Sequence, residues 1–231
     1  MKAVILAGGL GSRLKPFTEV IPKPLLPIGE KSVLEIQIGR LKRYGFDEIF
    51  VATNYKSKYI EDFFGDGSRY GVKLRISRED KPLGTAGPLT LLKEELSEPF
   101  LVMNGDILSL IDFSELYSFA ASQESLLTIS IKKEITPFAF GNIFFEGDLV
   151  TDIHEKPDIV MYILAGIYVM KPGIFDLIPD ETYFGMDHLI KKMLTTQMAV
   201  SKYDLKEYWL DIGRLNDYEK AQKDFPNFFD K

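Results

Sequence analysis

The chain has 231 residues, 45% hydrophobic and 27% charged, with a formal net charge of -6 and no cysteine. This is the composition of an ordinary folded domain large enough for its own core, and it excludes a disulfide-built scaffold, a collagen-like repeat and a disordered tail. The acidic balance leaves no general basic field for a nucleic-acid backbone, no apolar run approaches the ~18 residues of a membrane span, and the N-terminus opens on a strand with no sign of a signal or transit peptide, so the expectation is a cytoplasmic protein with no membrane and no nucleic-acid partner.

The first apolar run, Ala3-Val4-Ile5-Leu6, predicts a buried strand that leads directly into Gly8, Gly9 and Gly11, followed by Ser12 and Arg13. Lys23 comes ten residues further on, between Pro22 and Pro24. Glycines without Cβ let backbone N–H groups close around an anion, and the two cations add charge at separate points. A triphosphate site at the end of the first strand is therefore predicted. Residues 32–44 carry Leu34, Ile38 and Leu41 at helical spacing and end at Gly45. A strand is predicted over 48–53, a short helix over 57–64 closed by Gly65-Asp66-Gly67, and a strand over 73–77. The loop Leu83-Gly84-Thr85-Ala86-Gly87 leads into a predicted helix ending near Leu96. A strand over 100–103 ends at Asn104-Gly105-Asp106, with a helix over 113–121 and a strand over 126–131 beyond it.

Strands and helices thus alternate at roughly 25-residue intervals, the pattern of right-handed βαβ units and a mostly parallel α/β sheet. Past residue 132 the pattern changes to strand-like runs at 142–145 and 167–170, a helix over 186–194 and a closing helix over 217–223, with a tail fraying from Phe225. One domain spanning 1–231 is expected, its 1–131 part binding a nucleotide and its 132–231 part completing the site as an appended layer. In an open α/β sheet ligands sit at the carboxyl ends of the strands, which is where the glycine loop and Asn104-Gly105-Asp106 fall.

The glycine loop is not a Walker A sequence, since no Gly-Lys-Ser/Thr follows, and it lacks the third glycine of a dinucleotide fingerprint. The combination L-x-G-G-x-G-S-R-L with P-K-P after it is more specific. With Leu83-Gly84-Thr85-Ala86-Gly87, Asn104-Gly105-Asp106, Glu155-Lys156-Pro157, Ala165-Gly166-Ile167-Tyr168 and Trp209-Leu210-Asp211-Ile212-Gly213 in the same order, the chain resembles the sugar-1-phosphate nucleotidyltransferases, or sugar-nucleotide pyrophosphorylases, over nearly its whole length. The resemblance implies a Rossmann-like three-layer αβα fold with a mostly parallel mixed sheet. It also implies transfer of a nucleotidyl group from a nucleoside triphosphate to a sugar 1-phosphate with release of pyrophosphate. Two polyanions must meet in such a reaction, so it calls for positioning and charge neutralisation more than for acid–base groups. The presence of only two histidines, His154 and His188, is no objection.

Carried over by resemblance, Leu6, Ala7, Gly8, Gly9, Gly11 and Ser12 wrap the triphosphate, Arg13 stabilises the departing pyrophosphate and Lys23 contacts the phosphoryl groups. Gly84 and Thr85 lie near the base and Gly105 near the nucleotide. Asp106 and Asp211 hold Mg²⁺, which prefers oxygen ligands and bridges to phosphate. Lys156 holds the phosphate of the incoming sugar, Glu155 accepts from its hydroxyls, and backbone at Gly141 and Gly166 approaches the sugar. The segment 81–88 looks like that of guanylyltransferases acting on mannose 1-phosphate and related sugars, which favours GTP. UTP, CTP or dTTP, a heptose or alditol phosphate acceptor, and a non-catalytic nucleotide-sugar sensor are the alternatives. Many members have Asn where this chain has Leu164, which puts the mannose assignment in question. Members are often dimers or larger, so a homodimer is compatible with the resemblance. The length leaves no room for the left-handed helix domain of longer members, and no acetyltransferase activity is expected.

Overall fold

The computed structural model describes residues 1–54 and 56–229. In chain order, β1 (Lys2–Leu6) runs into the glycine loop, α1 (Phe17–Val20) and a ribbon of β2 (Pro27–Ile28) and β3 (Lys31–Ser32). Then come α2 (Val33–Arg43), β4 (Glu48–Thr53), α3 (Ser57–Phe64), β5 (Lys73–Arg78), β6 (Phe100–Asn104), β7 (Ile107–Ser109) and α4 (Phe113–Ser122). The second part contains β8 (Leu127–Pro137), β9 (Asn142–Glu146), β10 (Leu149–His154), β11 (Asp158–Met170), α5 (Met186–Thr195), β12 (Val200–Leu205), β13 (Trp209–Asp211) and α6 (Leu215–Phe228).

Seven strands form one sheet in the order β12-β8-β11-β6-β1-β4-β5. β1 pairs in parallel with both β4 and β6, β4 with β5, and β8 with β12, while β11 is antiparallel to both its neighbours. The predicted α/β class and mostly parallel mixed sheet are therefore what the chain forms. Alternation along β1 explains the layering: Ala3 and Ile5 pack with α2, α3 and α4, whereas Val4 packs with α5 and the 86–96 segment on the opposite face. α2 starts at a capping box in which Ser32 Oγ accepts from Glu35 N–H and Ser32 N–H donates to Glu35 Oε2.

Several elements differ from expectation. The helix predicted after Gly87 is a short 3-10 turn over Gly87–Leu92, and three residues per turn keep Leu89 and Leu92 on one buried face. The tail does not fray at Phe225. α6 continues to Phe228, and buried Phe225 and Phe229 join a third apolar cluster with Ile28, Leu108 and Leu210. Gln222 ties the helix to the β2–β3 ribbon by accepting from Gly29 N–H and donating to Pro27 C=O. The strand predicted at 167–170 is the end of a thirteen-residue strand, β11, in the middle of the sheet, and β12 had no sequence signal.

β8 and β11 outrun the sheet. β12 leaves β8 at Lys132, but the β8–β11 ladder continues to the Pro137–Asp158 pair, with the β9–β10 hairpin in its own two-stranded sheet beyond. This projecting arm carries Gly141, Glu155 and Lys156.

Candidate active site

A cleft of about 400 Å³ opens at the carboxyl ends of β1, β4, β5 and β6. It is lined by Leu6, Ala7, Gly8, Gly9, Lys23, Gly105 and Asp106, and by Asn54, Glu79, Pro82, Gly84, Thr85 and Tyr183. Close approach of backbone requires glycine at two of these positions. A Cβ at Gly105 would lie 2.8 Å from Leu6 C=O, to which Gly105 N–H donates, and one at Gly84, where φ is +83°, would lie 2.7 Å from Phe184 C=O. Gly84→Ala is accordingly expected to push the 83–87 loop off the segment before α5 and to lower the melting temperature by about 4–8 °C, the shift of ~2 kcal/mol in a chain of this size.

The two acidic residues from distant parts of the chain meet across a ribbon. β13 pairs antiparallel with β7, placing Asp211 opposite Ile107, and Ile212 N–H donates to Asp106 C=O at 2.9 Å. Lys23 Nζ contacts Asp106 Oδ2 at 2.5 Å from the tight turn between its two prolines. The other oxygen of that carboxylate, Asp106 Oδ1, and Asp211 Oδ1 are both buried without a hydrogen-bond partner. An orphaned carboxylate oxygen is expensive to bury, and two such carboxylates brought together by one ladder suit a hard divalent cation. Among the described residues no third His, Cys, Asp or Glu joins them, so remaining ligands must come from water or substrate. Burial, and then the neighbouring Asp106 carboxylate, pushes the Asp211 carboxyl above its ordinary range, opposed by Lys23 and Arg13. Burial pushes the Tyr168 phenol up to about 12, with the Asp106 charge adding to the effect.

The turn carrying Asp106 is clamped from α2. Gln37, only 2% exposed, donates from Nε2 to Asn104 C=O at 2.9 Å and to Ile107 C=O at 2.8 Å. Arg13 sits on the 3-10 turn after Gly11, whose left-handed backbone is fixed by Thr18 Oγ1 donating to Gly11 C=O. Its Nη1 and Asp211 Oδ1 both flank Gly213. Glu79 is 9% exposed, and its Oε2 accepts from Leu83 N–H at 2.9 Å. A Cβ on Gly8 would lie 2.8 Å from its Oε1, so this oxygen stands at the cleft wall. Desolvation pushes the Glu79 carboxyl up.

Of the residues singled out from the sequence, Leu6, Ala7, Gly8, Gly9, Lys23, Gly84, Thr85, Gly105 and Asp106 line the cleft. Arg13 and Asp211 border it through Lys23 and Asp106, whereas Gly11 and Ser12 lie in the turn behind. Thr85 Oγ1 is occupied as acceptor for Met186 N–H at the start of α5. Gly166, with φ of +68°, packs against the Asn104 side chain. Gly141 and Glu155 face each other on the arm, a Cβ at Gly141 lying 3.1 Å from Glu155 Oε2, and neither they nor Lys156 line the cleft. Sequence reasoning missed Glu79, Asn54, Gln37 and Tyr183. Glu79 could have been found as a carboxylate at the carboxyl end of a predicted strand, but Gln37 and Tyr183 had no such signal.

The family model described as nucleotidyl transferase matches residues 2–227. "Probable mannose-1-phosphate guanylyltransferase 1" of Oryza sativa subsp. japonica is 36% identical over 94% of this chain, and mannose-1-phosphate guanylyltransferase 1 of Arabidopsis thaliana is 34% identical over the same share. The chain spans 63% of the length of each. Among solved structures, HddC from Yersinia pseudotuberculosis superposes with a TM-score of 0.76 at 30% identity, covering 97% of this chain and 99% of that one, and has also been solved in complex with GMP-PN. No helix among the described residues is long and apolar enough to cross a membrane.

Proposed function

Because the chain belongs to the nucleotidyl transferase family, we propose that it is an enzyme that transfers a guanylyl group from GTP to a sugar 1-phosphate, releasing pyrophosphate. The observation that carries this reading is the pair of orphaned carboxylate oxygens of Asp106 and Asp211 beside Lys23, next to a glycine-walled cleft. The names of the curated relatives and the GMP-PN complex of HddC support the base and the acceptor class. The cysteine-free composition suits the cytoplasm.

A nonbridging oxygen of the sugar phosphate attacks the α-phosphorus in line. A new P–O bond forms there as the bond from the α-phosphorus to the bridging oxygen breaks, and pyrophosphate carries away the electron pair. The phosphate tail lies along Gly8 and Gly9, whose backbone can approach it closely. Lys23 offsets the charge that develops at the α-phosphate, and Arg13 that on the leaving pyrophosphate. Asp106 and Asp211 would hold Mg²⁺, which supplies charge neutralisation and template effects when bound. Lys156 and Glu155 on the arm take the phosphate and hydroxyls of the acceptor.

Glu79 reads the base. A carboxylate accepts from both the ring N–H and the exocyclic amine of guanine, a pair that uracil and thymine do not present. Glu79→Gln is expected to lower kcat/KM for GTP by about 10²-fold with little change for UTP. Since its carboxyl titrates above the ordinary range, KM for GTP should rise as the pH falls into that raised range, and Glu79→Gln should flatten this limb of the profile. The reading as a whole is tested by crossing the four nucleoside triphosphates with a panel of sugar 1-phosphates and recording pyrophosphate release with Mg²⁺. The expected result is turnover with GTP. Tight nucleotide-sugar binding with no turnover in any well would replace the enzyme by a sensor, and a preference for UTP or dTTP would overturn the base.

A further inference from the structure

A flat base offers a cleft two faces as well as an edge, and a carboxylate such as Glu79 takes only the edge. Leu10, Pro82 and Pro88 give the cleft apolar cover, but among the described residues that line it only Tyr183 carries an aromatic ring. The fold makes no use of that ring. Tyr183 is 63% exposed, and its side chain has no hydrogen bond, ion pair or ring contact with any described residue. A tyrosine can bury on the order of 150 Å² or more when it is given a partner.

Its backbone, by contrast, is held on both sides. Phe184 N–H donates to Leu83 C=O at 2.9 Å, and Phe184 C=O accepts from Ala86 N–H at 2.9 Å and Gly87 N–H at 3.0 Å. Before Tyr183, Thr182 C=O stands so close to Gly87 that a Cβ there would lie 2.6 Å from it. Thr182 Oγ1 donates to Asp180 C=O at 2.9 Å, and between them Glu181 has φ of +45°, a left-handed conformation uncommon for a residue with a Cβ. Such backbone persists where its surroundings over-determine it, and ligand clamps are among the places it occurs. The 83–87 loop and the 181–186 segment are thus one hydrogen-bonded unit that brings an unpacked ring to the cleft. With its backbone fixed and two side-chain torsions to order, the ring loses little entropy when something flat lies on it.

We propose that Tyr183 is the stacking platform for the base of the nucleoside triphosphate, its ring covering one face while Glu79 holds the edge. The inference rests on the nucleotidyl-transfer reading for its ligand and adds a second source of base preference. A purine overlaps the ring over a larger area than a pyrimidine does, so the platform favours GTP over UTP without hydrogen-bonding either. The base is unchanged in the reaction, so the stack is equally strong in the ground and transition states. It supplies binding and not rate.

The test is titration calorimetry of GTP and UTP with Mg²⁺ and no acceptor, together with steady-state kinetics, on the native chain and three variants. Tyr183→Ala should weaken GTP binding by about 10-fold or more and UTP binding by less. KM for GTP should rise with it, while kcat stays within about three-fold of native. Tyr183→Phe should bind GTP within about two-fold of native, because the ring and not the hydroxyl stacks. Tyr183→Trp should bind at least as tightly, and the emission of the added indole should be quenched as GTP saturates the protein. The ring packs against nothing, so the melting temperatures of the nucleotide-free variants should lie within about 2 °C of native. Equal GTP affinity in the native chain and Tyr183→Ala, a Tyr183→Phe variant as weak as Tyr183→Ala, or a loss confined to kcat would each overturn the proposal. A native chain that prefers UTP or dTTP overturns the guanylyl assignment instead, and the same variants titrated with the preferred nucleotide then decide Tyr183.

Discussion

Replacing Asp211 by Asn should reduce kcat/KM by at least about 10³-fold while raising the melting temperature of the metal-free protein. Asp211 is held above its ordinary range by burial and by Asp106, so the folded chain ionises it less readily than the unfolded chain does. A carboxyl raised on folding weakens the folded state wherever the unfolded chain would ionise it, that is, above its unfolded value and increasingly as the pH rises through the folded one. The penalty is complete once the pH lies above the folded value, and Asn removes it without changing the shape of the side chain. A gain of about 2–4 °C is expected, corresponding to ~1 kcal/mol in a chain of this size, measured by thermal unfolding with chelator present. The gain should vanish near pH 3, where both states are protonated. Adding millimolar Mg²⁺ should then reverse the order, stabilising the native protein by RT ln(1 + [Mg²⁺]/Kd) and leaving the variant behind. An unchanged or lower metal-free melting temperature would show that Asp211 is not strained by its neighbours. The orphaned oxygens are thus a cost in the empty site that a bound cation offsets.

Gln37→Leu should damage catalysis from outside the cleft. One amide nitrogen of Gln37 satisfies the carbonyls of Asn104 and Ile107, which flank the Gly105–Asp106 turn. Leucine fills similar volume but takes the Gln37 donor from the buried Ile107 carbonyl and the part-buried Asn104 carbonyl, at about 1–3 kcal/mol for each acceptor left unpartnered before relaxation. A loss of about 2–4 kcal/mol in urea unfolding is expected. In the fraction that stays folded, a turn free to shift by even ~1 Å misplaces Asp106, and kcat should fall by about 10–10²-fold. The nucleotide KM should change by less than about three-fold, since the glycine wall and Glu79 are untouched. A loss of stability with unchanged kcat would reduce Gln37 to a packing residue. Gln37 is a positioning residue in this account, which is why the split between kcat and KM, and not activity alone, decides it.

Much of the first part of the chain was readable in one dimension because its signals are local. The run from Ala3 to Leu6, the helical spacing of Leu34, Ile38 and Leu41, and the glycines after β1 each state their conformation within a few residues. The cradle at Gly8 and Gly9 and the candidate cations at Arg13 and Lys23 followed from residue type alone. Tertiary structure decided everything that depends on which distant segments pair. β7 and β13 have three residues each, too short to show any period, yet their ladder is what brings Asp211 to Asp106. Family resemblance had put the two carboxylates in one site, but their buried, unpartnered oxygens and the clamp from Gln37 exist only in three dimensions. The tail from Phe225 is expected from the sequence to fray, and is ordered because Phe225 and Phe229 find Ile28 and Leu210. The arm is the opposite case. Its apolar residues predict burial, and the fold leaves them in solvent, since β12 stops pairing with β8 at Lys132 and no other described segment covers the ladder beyond it. Residue type determined what each segment can bind or bury; the pairing of strands far apart in the chain determined where, because hydrogen-bonded ladders and desolvation are properties of neighbours that the sequence does not place side by side.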